Sequence, residues 1–198
     1  ELKLAAEVDA SVSDFMTSAR LYCSGLNFTF NPHRMILNKV TDCYLTREDG
    51  ERIEIQDDQL YRVVTDLYTG QMLGSVMEMS YGLLKIEPKD KDGNPIENLE
   101  DQAIMEGDKE LKAWDAIARY MKSFDDTDGN GISNVPEYYE TTHGRKVVDE
   151  SRNVIDLVKN PNKFSVIIVG IVLVLILIII LLVVLIRKLI KKRRRKKK

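Results

Sequence analysis

Residues that usually carry catalysis are scarce in this chain. Its 198 residues include two histidines, His33 and His143, and two cysteines, Cys23 and Cys43. No His-x-His, His-Glu-x-x-His, Cys-x-x-Cys or Gly-x-Ser-x-Gly occurs. Common zinc sites, thiol redox centres and nucleophile elbows are thereby excluded. Both histidines lie in polar turns, and neither is placed beside a Ser or Cys as a base beside a nucleophile. The acid pairs Asp57-Asp58 and Asp125-Asp126 fall in turns, where solvated loop carboxylates are the ordinary use. Internal repeats are missing. So is an apolar export segment at the start, which reads ELKLAAEVDA; the export signal of an outside-facing domain is therefore expected upstream of Glu1.

Acidic residues are absent from the last twelve positions, Arg187 to Lys198, where ten of twelve residues are basic. Immediately before them, Phe164 to Ile186 is 23 residues without a charge. A helix rises ~1.5 Å per residue, so this run covers roughly 34 Å, against a bilayer core of about 30 Å. A helix also satisfies its own backbone hydrogen bonds, which lipid requires. Lys and Arg flanking a span stay on the cytoplasmic side, so residues 1–163 are expected outside the cell membrane and the C-terminus inside. A buried core helix would not be apolar on every face in a domain this small. No LPxTG-like motif precedes the run, so KNPNKF leads into an anchor rather than a sorting signal.

The formal net charge of −2 conceals two regions of opposite sign. Of 29 Lys and Arg, ten lie in the last twelve residues; the first 186 keep 19 against 31 acids, a net of −12. An acidic ectodomain argues against nucleic acid as a partner. The basic tail suits the anionic inner leaflet of a bilayer.

Pattern and turn residues suggest an α+β fold with a mixed or antiparallel sheet and flanking helices. Leu2 to Val8 reads as a helix end. Leu21 to Phe30 and Lys39 to Thr46 read as strands about a turn at Asn31-Pro32-His33. A hairpin there would bring Cys23 and Cys43 opposite each other, as a disulfide or as two half-buried thiols. Leu60 to Leu67 is rich in β-branched and aromatic residues and is the strongest strand candidate. Tyr68 to Met79 reads as loop and then helix, and Leu83 to Ile86 as a short strand. Lys109 to Phe124 is amphipathic, with Asp108 as its expected N-cap. Gly144 to Lys163 reads as a polar stalk. Asn27-Phe28-Thr29 is a glycosylation sequon inside a predicted strand. Arg62 either pairs with an acid such as Asp66 or faces water.

The sharpest local motif runs from Asp126 to Glu137. Calcium loops of the EF-hand type place oxygen ligands at positions 1, 3, 5 and 9, a backbone carbonyl at 7, Gly at 6 and a bidentate Glu at 12. Asp126, Asp128, Asn130, Asn134, the carbonyl of Ile132, Gly131 and Glu137 match that spacing. Ser133 replaces the usual apolar residue, and Pro136 limits an exiting helix. The loop also resembles the Asp-rich calcium loops of thrombospondin type 3 repeats. An Asp/Asn/Gly turn capping a helix uses the same residues.

An ordered series of segments carries a wider resemblance: Ser24-Gly-Leu-Asn-Phe-Thr-Phe-Asn-Pro, Lys39-Val-Thr-Asp, Gly50, Leu60-Tyr-Arg-Val-Val-Thr-Asp and Gly144-Arg145. Over residues 1–146 this resembles the C-terminal domain of the 5′-nucleotidase family. The resemblance implies a partial specificity domain that holds a nucleoside, while two divalent metals in an N-terminal metallophosphoesterase domain perform the hydrolysis. None of that domain's ligand motifs is present here, so the missing catalytic domain becomes an expected partner. The family stacks a base between two aromatics. The first place falls at Arg20, with Tyr22 next to it; the second loop here is Tyr68-Thr-Gly-Gln-Met-Leu-Gly, not the family's Gly-Gly-Asp-Gly pattern. Arg20, Tyr22 and Tyr68 are thus the expected nucleoside contacts, and altered binding is the alternative.

The expected organisation is a partial domain at 1–146, a stalk at 147–163, a membrane helix at 164–186 and a cytoplasmic basic tail at 187–198. The expected role is the specificity part and anchor of an extracellular 5′-nucleotidase-like phosphohydrolase. A non-catalytic, calcium-stabilised surface binding or adhesion module is the alternative.

Overall fold

A computed structural model describes residues 1–12, 20–80, 82 and 84–196. The predicted strand at Leu83–Ile86 begins on a residue outside them. The fold is mixed α/β with a long apolar helix at its end. Two strands meet where the sequence places a hairpin: β1 (Leu26–Phe30) and β2 (Val40–Thr46). Gly25, at φ +81°, leads into β1, and Gly50, at φ +85°, turns the chain from β2 into β3 (Arg52–Glu54). Both need the left-handed backbone that glycine adopts without penalty. A short strand β6 (Lys146–Val148) completes a sheet of order β3-β2-β1-β6. β3 pairs antiparallel with β2, with Tyr44 opposite Glu54. The amide of Phe28 donates to the carbonyl of Arg145, and the amide of Asp149 to that of Phe30. Those bonds advance along both strands together, so β6 runs parallel to β1 and the sheet is mixed.

Helix α1 (Leu2–Val12) precedes the sheet. Helix α2 (Leu67–Met79) is opened by Asp66, whose carboxylate takes the Thr69 amide at 2.8 Å and the Thr69 hydroxyl at 2.8 Å. Gly70 is buried on α2, and a Cβ there would lie 3.2 Å from Leu99 Cδ1, so the 3-10 turn Leu99–Gln102 sits close against the helix. A tight hairpin, β4 (Met105–Glu106) and β5 (Lys109–Glu110), comes before α3 (Ala113–Lys122).

The chain divides into two compact units. The first comprises Glu1–Ala6, Leu21–Thr29 and Asp42–Val147. Its buried apolar residues are Ala6, Leu26, Phe28, Cys43, Ile55, Leu84 and Ile86. Cys23 and Cys43 are both thiols rather than a disulfide. The second comprises Glu7–Arg20, Phe30–Thr41 and Val148–Lys198. Its buried residues are mostly polar: Glu7, Asp9, Ser11, Asn31, Arg34, Asn38 and Ser165, against Ala10 and Phe164. Hydrogen bonds rather than apolar packing hold this unit. Glu7 accepts the amides of Lys39 and Val40, each at 2.9 Å. Burial pushes its carboxyl pKa up, against those two hydrogen bonds. Asn31 Nδ2 donates to the Ser151 carbonyl at 2.7 Å.

Several expectations are corrected. Residues 60–66 form no strand; Val63 and Val64 are exposed and Asp66 goes to the helix cap instead of pairing with Arg62. Strand propensity needs a ladder partner to become a strand, and none is in place among the described residues. Asp108 caps no helix. Gly107, at φ +64°, and Asp108 form the two-residue turn of the β4–β5 hairpin, and α3 starts five residues later. The segment at 147–163 includes the end of β6 and the short helix α4 (Val154–Val158). Asn27 of the sequon is 9 % exposed, and its side-chain amide donates to Thr46 Oγ1 at 2.6 Å.

Helix α5 (Lys163–Lys196) contains the uncharged run. From Lys163 to Lys192 it is long and apolar enough to cross a membrane, and none of its most apolar window is buried in protein.

Candidate functional site

The Asp-rich segment lies in the first unit, after α3. Ser123 caps α3, with its amide on the carbonyls of Arg119 and Tyr120, each at 3.1 Å. The chain then closes into a compact loop. Asp126 Oδ1 accepts the amides of Gly129 at 2.8 Å and Asn130 at 3.2 Å, and its Oδ2 accepts that of Gly131 at 2.8 Å. Those bonds, Gly131's foremost, hold the Asp126 carboxyl below the ordinary Asp range. Gly129 and Gly131 have φ of +72° and +85°, which only glycine takes freely. Asp128 Oδ1 accepts the Asn130 amide, Asn130 Oδ1 accepts that of Ile132, and Asn134 Oδ1 accepts both donors of Thr127. Two bonds fasten the loop at its base: the Asn134 amide to the Asp125 carbonyl at 2.9 Å, and Ser133 Oγ to the Lys122 carbonyl at 3.1 Å.

The candidate ligand atoms are oxygens throughout, which suits a hard cation such as calcium. Carboxylates in the ring itself are two, Asp126 and Asp128. Glu137 begins the 3-10 turn Glu137–Glu140 beyond Pro136. Among the described residues, no three His, Cys, Asp or Glu side chains gather into a metal-holding group. The geometry therefore gives a preformed turn whose acceptors are engaged by backbone amides.

Beside the loop lies an aromatic cluster that sequence reasoning missed. Tyr120, Met121, Phe124, Val135 and Tyr139 line a shallow apolar depression. The Phe124 and Tyr139 rings are 5.6 Å apart, and Tyr120 meets Phe124 edge-on at 5.0 Å. Tyr138 stacks on His143 at 4.0 Å. The Tyr120 hydroxyl bonds that of Tyr139 and pushes the Tyr139 phenol pKa up. The signal was present in the adjacent Tyr138 and Tyr139 one helix-loop length after Tyr120, but polar neighbours masked it.

The expected nucleoside contacts are divided between the two units. Arg20 is exposed and belongs to the second unit. Tyr22, in the first unit, is 88 % exposed, with the Lys146 ammonium 5.6 Å from its ring. Tyr68 stands exposed on the first turn of α2. A second depression near it is lined by Gly70, Gln71, Pro88, Ile96, Asn98 and Leu99, without either tyrosine. Comparison of the chain with protein-family models, with curated proteins and with solved structures found no match.

Proposed function

We propose that the chain is the exofacial specificity portion and membrane anchor of a 5′-nucleotidase-like phosphohydrolase, whose metal-dependent chemistry belongs to a separate domain. What supports this reading is that four of the five ordered motifs accompany strands of the sheet, while Leu60–Asp66 forms none. The Ser24-Gly25 turn leads β1, the turn holding Pro32 leads to β2, Gly50 leads to β3, and Gly144-Arg145, with Gly144 at φ +63°, leads into β6 beside β1. Helix α5 then serves as the anchor in the cell membrane, with the basic end on the cytoplasmic side. In this reading Arg20, Tyr22 and Tyr68 supply the flat surfaces for a base, the guanidinium by cation–π stacking. Calorimetry of the full chain in detergent with adenosine tests it. Heat of binding that disappears in Tyr68→Ala is expected. Absence of heat in the unsubstituted chain overturns the nucleoside assignment.

The alternative, a calcium-stabilised binding module, draws on the Asp126–Asn134 loop and on Trp114, Ile117 and Met121, which α3 leaves exposed. Under it, millimolar calcium raises the melting temperature of the chain and Asp126→Ala abolishes the rise. An unchanged melting temperature removes calcium from the account.

A further inference from the structure

Helix α4 presents three aliphatic side chains to solvent: Val154 is 72 %, Ile155 70 % and Val158 64 % exposed. A five-residue helix so open to water has no obvious protein reason to be apolar. Its surroundings in the second unit supply one. Arg34, buried at 5 % exposure, donates from Nη1 to the Asp156 carbonyl, from Nη2 to the Lys159 carbonyl at 2.8 Å, and from Nε to the Asn38 carbonyl at 2.7 Å. One guanidinium thus ties the end of α4 to the turn at residues 34–38. That turn in turn grips the start of α5. Asn162 caps α5, its Oδ1 taking the Ser165 amide at 3.0 Å. The Asn162 amide donates to Asn38 Oδ1 at 3.2 Å, and its side chain donates to the Leu37 carbonyl.

The link is stiff. Leu37 has φ +60°, a left-handed conformation that costs energy for a side chain with a Cβ. Such a residue persists where its surroundings hold it. Both its backbone groups are held, the amide by Ser11 Oγ at 2.9 Å and the carbonyl by Asn162. Ile36, beside it, is exposed. Between Val158 and Lys163 the chain can span at most about 18 Å at ~3.5 Å per residue. The hydrogen bonds therefore fix α4 close to the point where the apolar helix begins. Lys159 and Lys163 flank that point, and the Lys163 ammonium lies 5.2 Å from the Phe164 ring. Long cationic side chains suit a headgroup layer.

We propose that α4 is a membrane-seated foot: Val154, Ile155 and Val158, joined by Ile36, rest in the boundary between headgroups and acyl chains of the bilayer that α5 enters, and Arg34 locks them there. The inference rests on α5 spanning that bilayer, and deepens the anchoring half of the proposed function. Interfacial apolar faces sit ~5–10 Å into that boundary.

The full chain, carrying Trp114→Phe so that a single indole reports, is reconstituted in phosphatidylcholine vesicles containing lipids brominated at a shallow or a deep acyl position. Ile155→Trp and Val158→Trp, both at exposed sites, probe the foot, and Leu175→Trp probes the middle of α5. The expected result is that shallow bromines lower emission from Ile155→Trp or Val158→Trp by about twofold, and deep ones less. Adding Arg34→Ala is expected to diminish that quenching. If Leu175→Trp is quenched while both foot positions are untouched by either lipid, the foot is overturned and the anchor stands. If the foot indoles shift to the blue without quenching, a second protein copy covers them and the proposal fails. If Leu175→Trp itself escapes quenching, the anchoring reading falls, and the foot with it.

Discussion

Arg34 shapes the second unit because its buried guanidinium donates to the backbone carbonyls of Asn38, Asp156 and Lys159. Hydrogen bonds from a charged donor contribute roughly 1.5–3 kcal/mol each, and an orphaned buried carbonyl costs about 1–3 kcal/mol. Arg34→Ala is therefore expected to speed hydrogen exchange at the Leu157 and Lys159 amides by about tenfold or more, since α4 loses its clasp. Arg34→Lys should recover little, because a lysine has one nitrogen where the guanidinium serves three carbonyls from a planar fork. Exchange at the wild-type rate in Arg34→Ala would contradict this role.

Glu7 makes a second prediction at the same scale. Its pKa is raised in the folded chain above the ordinary 4.5. Folding thus binds the proton more tightly, so Glu7's contribution is fullest below pH 4.5 and is lost as pH rises through the raised folded value. Asp42 behaves oppositely. Its hydrogen-bonded pair with Arg52, at 2.8 Å, lowers its pKa below 3.8, so its contribution is present above that value and is lost as acid titrates it. Denaturation midpoints followed by circular dichroism in detergent should show the gap between wild type and Glu7→Gln changing with pH only above about 4.5. A gap independent of pH across that range would contradict the raised pKa.

At the scale of elements, caps and turns govern where helices begin. The Asp66 carboxylate accepts two hydrogen bonds from Thr69, and this fixes the start of α2. Asp66→Ala is expected to lower stability by about 1 kcal/mol, read as a shift in denaturation midpoint. Gly107→Val should destabilise the β4–β5 hairpin by roughly 1–2 kcal/mol, because its φ of +64° admits a β-branched residue only under strain. An unchanged midpoint in either variant would contradict the assigned turn or cap. The same elements explain what was legible in the sequence. β1, β2 and α5 could be read because their signals are local: alternation bounded by Gly and Pro, and an unbroken apolar run. The start of α3 was misplaced because Gly107 and Asp108 serve a hairpin that competes with a helix cap for the same residues. Residues 60–66 were misread because β propensity states a preference and cannot supply a neighbouring strand. The fold of 147–163 was invisible because its partners, Asn31 and Arg34, lie some 120 positions away in sequence. Of the candidate site, the loop at 126–134 was readable from spacing; the Tyr120, Phe124 and Tyr139 cluster was not, since its members come from a helix and a later turn.

At the scale of the whole molecule, one sharp asymmetry of composition separates an acidic, folded part from an apolar helix with a basic end. In the proposed reading α5 spans a bilayer, and the basic residues after Ile186 set its direction. The proposed anchoring, the foot formed by α4 and the proposed exofacial specificity role all depend on that direction. Its most direct test uses intact cells expressing the full chain behind a cleavable export signal, with Cys23 and Cys43 replaced by Ser and one cysteine restored at Asp92, in an exposed turn, or at Lys192, near the end of α5. A membrane-impermeant maleimide applied from outside should label Asp92→Cys in intact cells, and Lys192→Cys only after the membrane is opened. Labelling of Lys192→Cys in intact cells, with Asp92→Cys protected, would contradict the account.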